Sequence, residues 1–182
     1  MIIVPAALVV PAIGYATEYL TAPQAQQIIF PDADRFVDAS VDLNDDQRSA
    51  IEKRSGVRQR WKKQQVWRAE KAGEFVGWLI IDQVLGKHEF ITYATGLTPD
   101  GKVKGIEILT YLETYGYQVR NAEWRQKFVG KTIADPFDLN VDIPNISGAT
   151  LSTRNVTNGV KRLLALQQLM LQSCLSRPAQ MQ

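Results

Sequence analysis

An α+β domain is what this sequence predicts: one antiparallel β-meander sheet flanked by helices, with a long C-terminal helix following a hydroxyl-rich loop. Three observations carry that prediction. Segments 66–69, 74–84, 89–97 and 102–112 are rich in β-branched and aromatic residues. Short turn-like connections separate them, of which Pro99-Asp100-Gly101 carries the strongest turn signal. Strands in series with short links pair antiparallel. Finally, Val156, Val160, Leu163, Leu164, Met170 and Leu171 recur at helical spacing, which predicts a helix from near Ser152 to about Cys174.

Each element follows in order. Residues 1–14 (MIIVPAALVVPAIG) carry no charge, and the first basic residue is Arg35. The run is shorter than the roughly 20 residues a spanning helix requires, and Pro5 and Pro11 interrupt it. Residues 1–16 read either as a signal peptide, with Gly14-Tyr15-Ala16 offering small residues for cleavage, or as a hydrophobic N-terminal segment. The first reading implies an exported protein, periplasmic or membrane-associated and facing the periplasm.

Residues 17–64 read as a helical extension. Thr21 caps and Pro23 opens a helix over 24–30 that stops before Pro31. A second helix follows Asn44-Asp45-Asp46 and ends near Ser55-Gly56. Residues 65–175 form the main domain and 176–182 a flexible tail. Within the domain, residues 122–128 predict a short helix with Trp124 and Phe128 on one face and Gly130 at its end. Gly159 costs about 1 kcal/mol against alanine in a helix interior, so its position predicts the close approach of another backbone.

Composition removes several function classes. The 21 basic and 19 acidic residues give a net charge of +2, too balanced to point to nucleic acid. The single cysteine, Cys174, forms no internal disulfide, and no Cys-x-x-Cys pair supports iron–sulfur or covalent haem ligation. The single histidine, His88, removes His-rich zinc sites, and no metal site is predicted. His88 is read as a surface histidine on a turn, with proton donation to a reduced cofactor as the alternative. Arg54, Arg58, Arg60, Lys62 and Lys63 flank Trp61. Such a run is a solvated face, or else a docking surface for an acidic redox partner or a membrane.

The informative segment is Asn145-Ile146-Ser147-Gly148-Ala149-Thr150-Leu151-Ser152-Thr153. Small residues there let the backbone approach a ligand. Free amides at the following helix start, with the helix dipole, favour an anion such as phosphate. The plainer reading is an N-cap with surplus hydroxyls, Ser152 and Thr153 among them.

Ser147-Gly148-Ala149-Thr150 followed by Ser152 resembles the flavinylation motif of the FMN-binding domain family, which includes the flavoprotein subunits of the Rnf and sodium-pumping NADH:quinone reductase complexes. Further matches lie in the right order: Asp100-Gly101-Lys102-Val103, Ile106 to Ile108, Glu113-Thr114-Tyr115-Gly116, the Trp124…Phe128-x-Gly130-Lys131 helix, and Val156-Thr157-x-Gly159-Val160. The sequence departs from the family pattern at Pro144, where many members have an aspartate that the attaching enzyme recognises, and at Tyr115, where proline is usual. Asp142 is the nearest carboxylate.

The resemblance implies that a flavin transferase joins FMN through its phosphate to the Thr150 hydroxyl. Ser147, Gly148, Ala149, Leu151, Ser152 and Thr153 would cradle the phosphate, with Lys131 adding charge or standing solvated. Glu113, Thr114, Tyr115 and Gly116 would lie beside the isoalloxazine. Trp124, Tyr115 and Trp78 are candidates to stack on the ring or to pack the core. The function implied is electron transfer in the bacterial periplasm between redox partner proteins, as a carrier rather than a turnover enzyme. The alternatives are a flavin-dependent reductase acting on a small substrate, and a flavin-free binding module using residues 58–63.

Overall fold

The computed structural model describes residues 19–172. The charge-free N-terminal run, Cys174 and the C-terminal tail lie outside those residues.

The chain begins with helix α1 (Ala22–Ile29), whose start is fixed by a reciprocal capping box between Thr21 and Gln24. Two short strands follow, β1 (Arg35–Asp38) and β2 (Val41–Asp42), which the sequence reading did not place. Helix α2 (Asp45–Ser55) has a second capping box, Asn44 with Gln47, and ends at Gly56 in the left-handed conformation with φ 72°. The meander is β3 (Lys63–Lys71), β4 (Glu74–Leu85), β5 (Phe90–Leu97) and β6 (Val103–Tyr111). A 3₁₀ turn (Tyr117–Arg120), helix α3 (Ala122–Gln126) and helix α4 (Thr150–Leu166) complete the order, with one π-helical turn over Gln167–Leu171.

The sheet has six strands rather than four, ordered β1-β3-β4-β5-β6, with β2 also pairing β3. Every pairing is antiparallel. β1 lies against Trp67–Glu70 and β2 against Lys63–Gln64, so the N-terminal extension supplies an edge of the same sheet. Strands this short carry too few residues for alternation to register; their pairing with β3 makes them strands.

Both faces of the sheet are buried. Trp78, Ile80, Tyr93 and Ile108 meet Val156, Val160 and Leu163 of α4, together with Ile51 of α2. On the opposite face, Leu79, Ala94 and Leu109 meet Ala25 and Ile29 of α1 and Phe30 just after it. The period-2 alternation along each strand sends neighbours to opposite covers. Trp78, 2% exposed, is a core residue of the α4 face.

Helix α4 comes close to β5 at Gly159. A Cβ there would lie 2.1 Å from the Tyr93 hydroxyl, so the close neighbour is a side-chain oxygen and not the backbone expected. Tyr93 Oη donates to Asp82 Oδ2 at 2.6 Å, and Arg162 donates to the same oxygen. This Tyr93–Asp82–Arg162 group is sealed between sheet and helix. Burial, followed by the Asp82 charge, pushes the Tyr93 hydroxyl well above the usual tyrosine range. Burial opposes the Arg162 charge, yet Asp82 and Tyr93 outweigh it and raise its pKa.

Candidate functional site

Helix α4 starts two residues earlier than its apolar stripe predicts, which places Thr150 itself in the first turn. The N-cap is Ala149, and no side chain caps the helix. The first intrahelical amide is that of Thr153, bonded to Ala149 O at 2.9 Å. The amides of Thr150, Leu151 and Ser152 therefore lack helical acceptors, and the positive end of the dipole is uncompensated.

The two hydroxyls expected to cap or cradle turn elsewhere. Thr153 Oγ1 donates to Ala149 O at 2.8 Å and is fully buried. Ser152 is buried at 2% exposure, with its Oγ 3.2 Å from the Tyr111 hydroxyl. Tyr111 also donates to Tyr115 O at 2.5 Å, so it joins β6, the 113–116 loop and the start of α4. Burial raises the Tyr111 pKa, which keeps this hydroxyl a neutral donor. Sequence reasoning passed over Tyr111 because an aromatic residue in a strand looks like any other core residue.

In front of this helix start lies a cleft of about 390 Å³, lined by Lys87, His88, Glu113, Thr114, Tyr115, Gly148, Ala149, Thr150, Leu151 and Ser152. Three chain segments meet there: the β4–β5 turn, the loop after β6, and the loop entering α4. Gly148 adopts φ 78°, a conformation that favours glycine. At Gly116 a Cβ would lie 2.1 Å from Ala149 Cβ, so glycine lets the two loops touch. Tyr115 is 74% exposed and Leu151 45%, giving the cleft an apolar rim open to solvent.

Glu113 organises the β4–β5 turn. Its Oε1 accepts the amides of His88 at 2.6 Å and Glu89 at 3.1 Å. Gly86 packs against it, since a Cβ there would lie 2.4 Å from Oε1. Desolvation opposes ionisation of Glu113, but the amides of His88, Glu89 and Lys87 outweigh it and hold its pKa below the usual glutamate value. The carboxylate thus holds the Lys87 and His88 turn against the cleft.

Thr150 Oγ1 accepts from Asn145 Nδ2 at 3.2 Å. Asn145 lies within the segment singled out in the sequence, but its role needed the loop's fold to become visible. The remaining sequence candidates stand back from the cleft. Trp124 does not reach it: the indole is 6% exposed, meets Phe128 edge-on at 4.9 Å, and donates from Nε1 to Pro144 O at 2.9 Å. It anchors the loop ahead of the motif. Lys131 pairs with Asp142 at 2.8 Å, both side chains being 15% exposed. Asp142 also accepts the amides of Phe137 and Asp138. Burial raises its pKa, but the Lys131 bond and these amides outweigh that and lower it. This carboxylate is committed to folding the 137–142 loop and is not free to stand in for the aspartate that Pro144 replaces. Gly116 supports the cleft from behind, and Ser147 is exposed beside it.

Among the described residues, no group of three or more His, Cys, Asp or Glu is placed to hold a metal, and no helix is long and apolar enough to cross a membrane. The donors present suit a phosphorylated aromatic cofactor: unsatisfied amides and Lys87 for an anion, and an apolar rim of Tyr115 and Leu151 for a ring system.

Comparison with known proteins agrees with this chemistry. Residues 86–165 match the family model described as FMN-binding domain. No curated protein matches the chain. Among solved structures, the crystal structure of Shewanella oneidensis NqrC aligns with a TM-score of 0.57, covering 82% of this chain and 88% of that one at 16% identity. At that identity the likeness is one of fold. The matched segment, residues 86–165, includes every residue that lines the Thr150 cleft, and it is similar to the FMN-binding domain family.

Proposed function

We propose that the protein is an electron carrier that holds FMN in the Thr150 cleft as a phosphoester on Thr150 Oγ1, and that it works in the periplasm or on the periplasmic side of a membrane. The observation that carries the reading is the position of that hydroxyl. It sits in the first turn of an uncapped helix, accepts from Asn145, and faces a cleft lined by Lys87 and His88. Bound FMN supplies chemistry in steps of one or two electrons, which links two-electron donors to one-electron acceptors.

The chain's own residues bind, orient and shield. Asn145 donates to one lone-pair side of Thr150 Oγ1, leaving the other to form the bond to phosphorus as the hydroxyl proton departs. A flavin transferase would supply the phosphorus by breaking the phosphoanhydride bond of an activated flavin donor, releasing the other phosphorylated fragment and taking up the hydroxyl proton. The amides of Thr150, Leu151 and Ser152 and the Lys87 ammonium offset the phosphate charge. Thr114 and Tyr115 line the same cleft and would lie beside the ring, where backbone groups would tune its potential by hydrogen bonding. The exposed Tyr115 and Leu151 form the edge presented to redox partners. The charge-free residues 1–14 support export.

The test is co-expression with a flavin transferase, followed by a denaturing gel viewed under ultraviolet light and by intact mass. A fluorescent band that Thr150→Val abolishes supports the ester. A mass equal to the bare polypeptide, with no blue absorption in the native protein, overturns FMN binding. Yellow protein without a fluorescent band overturns the covalent bond alone.

A further inference from the structure

A second cleft, of about 300 Å³, lies across the β4–β5 turn from the first. It is bounded by residues 56–61, the ends of β4 and β5 at Gln83, Leu85 and Phe90, and the α4 residues Asn155, Asn158 and Arg162. Much of this lining lies outside the 86–165 family segment. It also absorbs much of the basic run that the sequence offered as a solvated face: Gln59 is buried at 1% exposure and Lys63 starts β3, while Arg58, Arg60 and Trp61 turn to the cleft.

The wall is aromatic and fixed. Trp61 and Phe90 lie 6.1 Å apart, and Trp61 Nε1 donates to Gln83 O at 3.1 Å. Asn155 Nδ2 donates to Leu85 O at 2.6 Å, which ties α4 to the strand end and leaves the Asn155 carbonyl free to accept. Phe90 and Leu85 are 48% and 43% exposed, an apolar rim with no cover among the described residues.

The charge is one-sided. Arg58 and Arg60 are exposed and make no ion pair among the described residues. Arg162 is 3% exposed; it is held by Asp82 and by Arg58 O, and its Nε has no partner. Among the described residues no carboxylate lines the cleft, and Asp82, the ion-pair partner of Arg162, is engaged by it. A buried guanidinium with an unused N–H, two exposed guanidiniums and an aromatic wall form a receptor for a flat ring bearing a negative group.

We infer that this cleft is a second binding site, for a small aromatic carboxylate or a similar planar aromatic anion. The ring lies against Trp61 and Phe90, and the anionic group meets Arg58, Arg60 and Arg162. The site is separate from the Thr150 cleft and does not rest on FMN being attached there.

The experiment is isothermal titration of the full chain with 2-naphthoate, and with uncharged 2-naphthylmethanol as the control, in FMN-free and FMN-loaded protein. Saturable binding at one site per chain is expected, with the alcohol weaker by about tenfold or more, the worth of a charge-assisted contact. Arg58→Ala and Arg60→Ala each weaken naphthoate by about threefold or more, and flavin loading stays unchanged. Both side chains are exposed, so these variants keep the fold. No saturable binding, equal affinity for acid and alcohol, or indifference to both arginine substitutions overturns the site. Loss of naphthoate binding on FMN loading also overturns it, because it places the probe in the Thr150 cleft.

Discussion

Glu113 shows how a single side chain sets the cleft. It draws amides of the β4–β5 turn onto one carboxylate oxygen, and its pKa is lowered by them. A depressed carboxylate pKa means stability that is present above the unfolded-state pKa and lost as pH falls through the folded one. Protection factors at the His88 and Glu89 amides, which correct exchange for its intrinsic pH dependence, should therefore fall as pH drops below about 4, the ordinary glutamate range. Glu113→Gln should lower that protection already at neutral pH and remove its acid dependence, at a cost of about 1 kcal/mol in global stability. Tyr111→Phe should act differently. It releases Tyr115 O and Ser152 Oγ together, costing about 1–2 kcal/mol in urea unfolding, and slows flavin attachment at Thr150 through a less ordered helix start. Thr150→Ser keeps the hydroxyl and should keep attachment, which the fluorescent gel band checks.

Among the elements, α4 carries the sharpest prediction. Alanine is favoured over glycine in a helix interior by about 1 kcal/mol, so propensity alone says that Gly159→Ala stabilises. The Tyr93 hydroxyl 2.1 Å from the added Cβ reverses the sign. Tyr93 is fully buried and bonded to Asp82, so it has no room to retreat. Gly159→Ala should destabilise by about 1–3 kcal/mol, the usual cost of overpacking. In a Tyr93→Phe background that cost should shrink, and a urea double-mutant cycle measures the difference. The start of α4 obeys the opposite logic. A helix of this length without a side-chain cap leaves stability unrealised at its N-terminus, and that is where the cleft opens.

At the scale of the whole molecule, the sheet needs both its covers. α1 closes the face of Leu79, Ala94 and Leu109, and β1 and β2 pair with β3. Residues 63–172 expressed alone would expose that apolar face and a bare β3 edge. Such a fragment should aggregate or lack a cooperative thermal transition, whereas the full chain should unfold in one step seen alike by near- and far-ultraviolet circular dichroism. A soluble fragment with a single sharp transition would mean that the extension is dispensable. The full chain should therefore behave as one cooperative unit, because α1 packs on the strands that carry the Thr150 cleft.

The sequence by itself determined the local features. Capping pairs, turn dipeptides and period-2 runs act between near neighbours, so α1, α2, the four meander strands and the hydroxyl-rich helix start were legible, and the Ser147–Thr150 motif pointed to FMN. Only the tertiary structure decided what depends on distant partners. β1 and β2 exist because β3 lies beside them. Trp124 anchors Pro144 instead of facing the cleft, and Lys131 is held by Asp142. Tyr111 and Glu113 matter because strand order brings them to the start of α4 and to the β4–β5 turn. Hydrogen bonding and burial are set by separation in space, which residue order specifies only after the chain has folded.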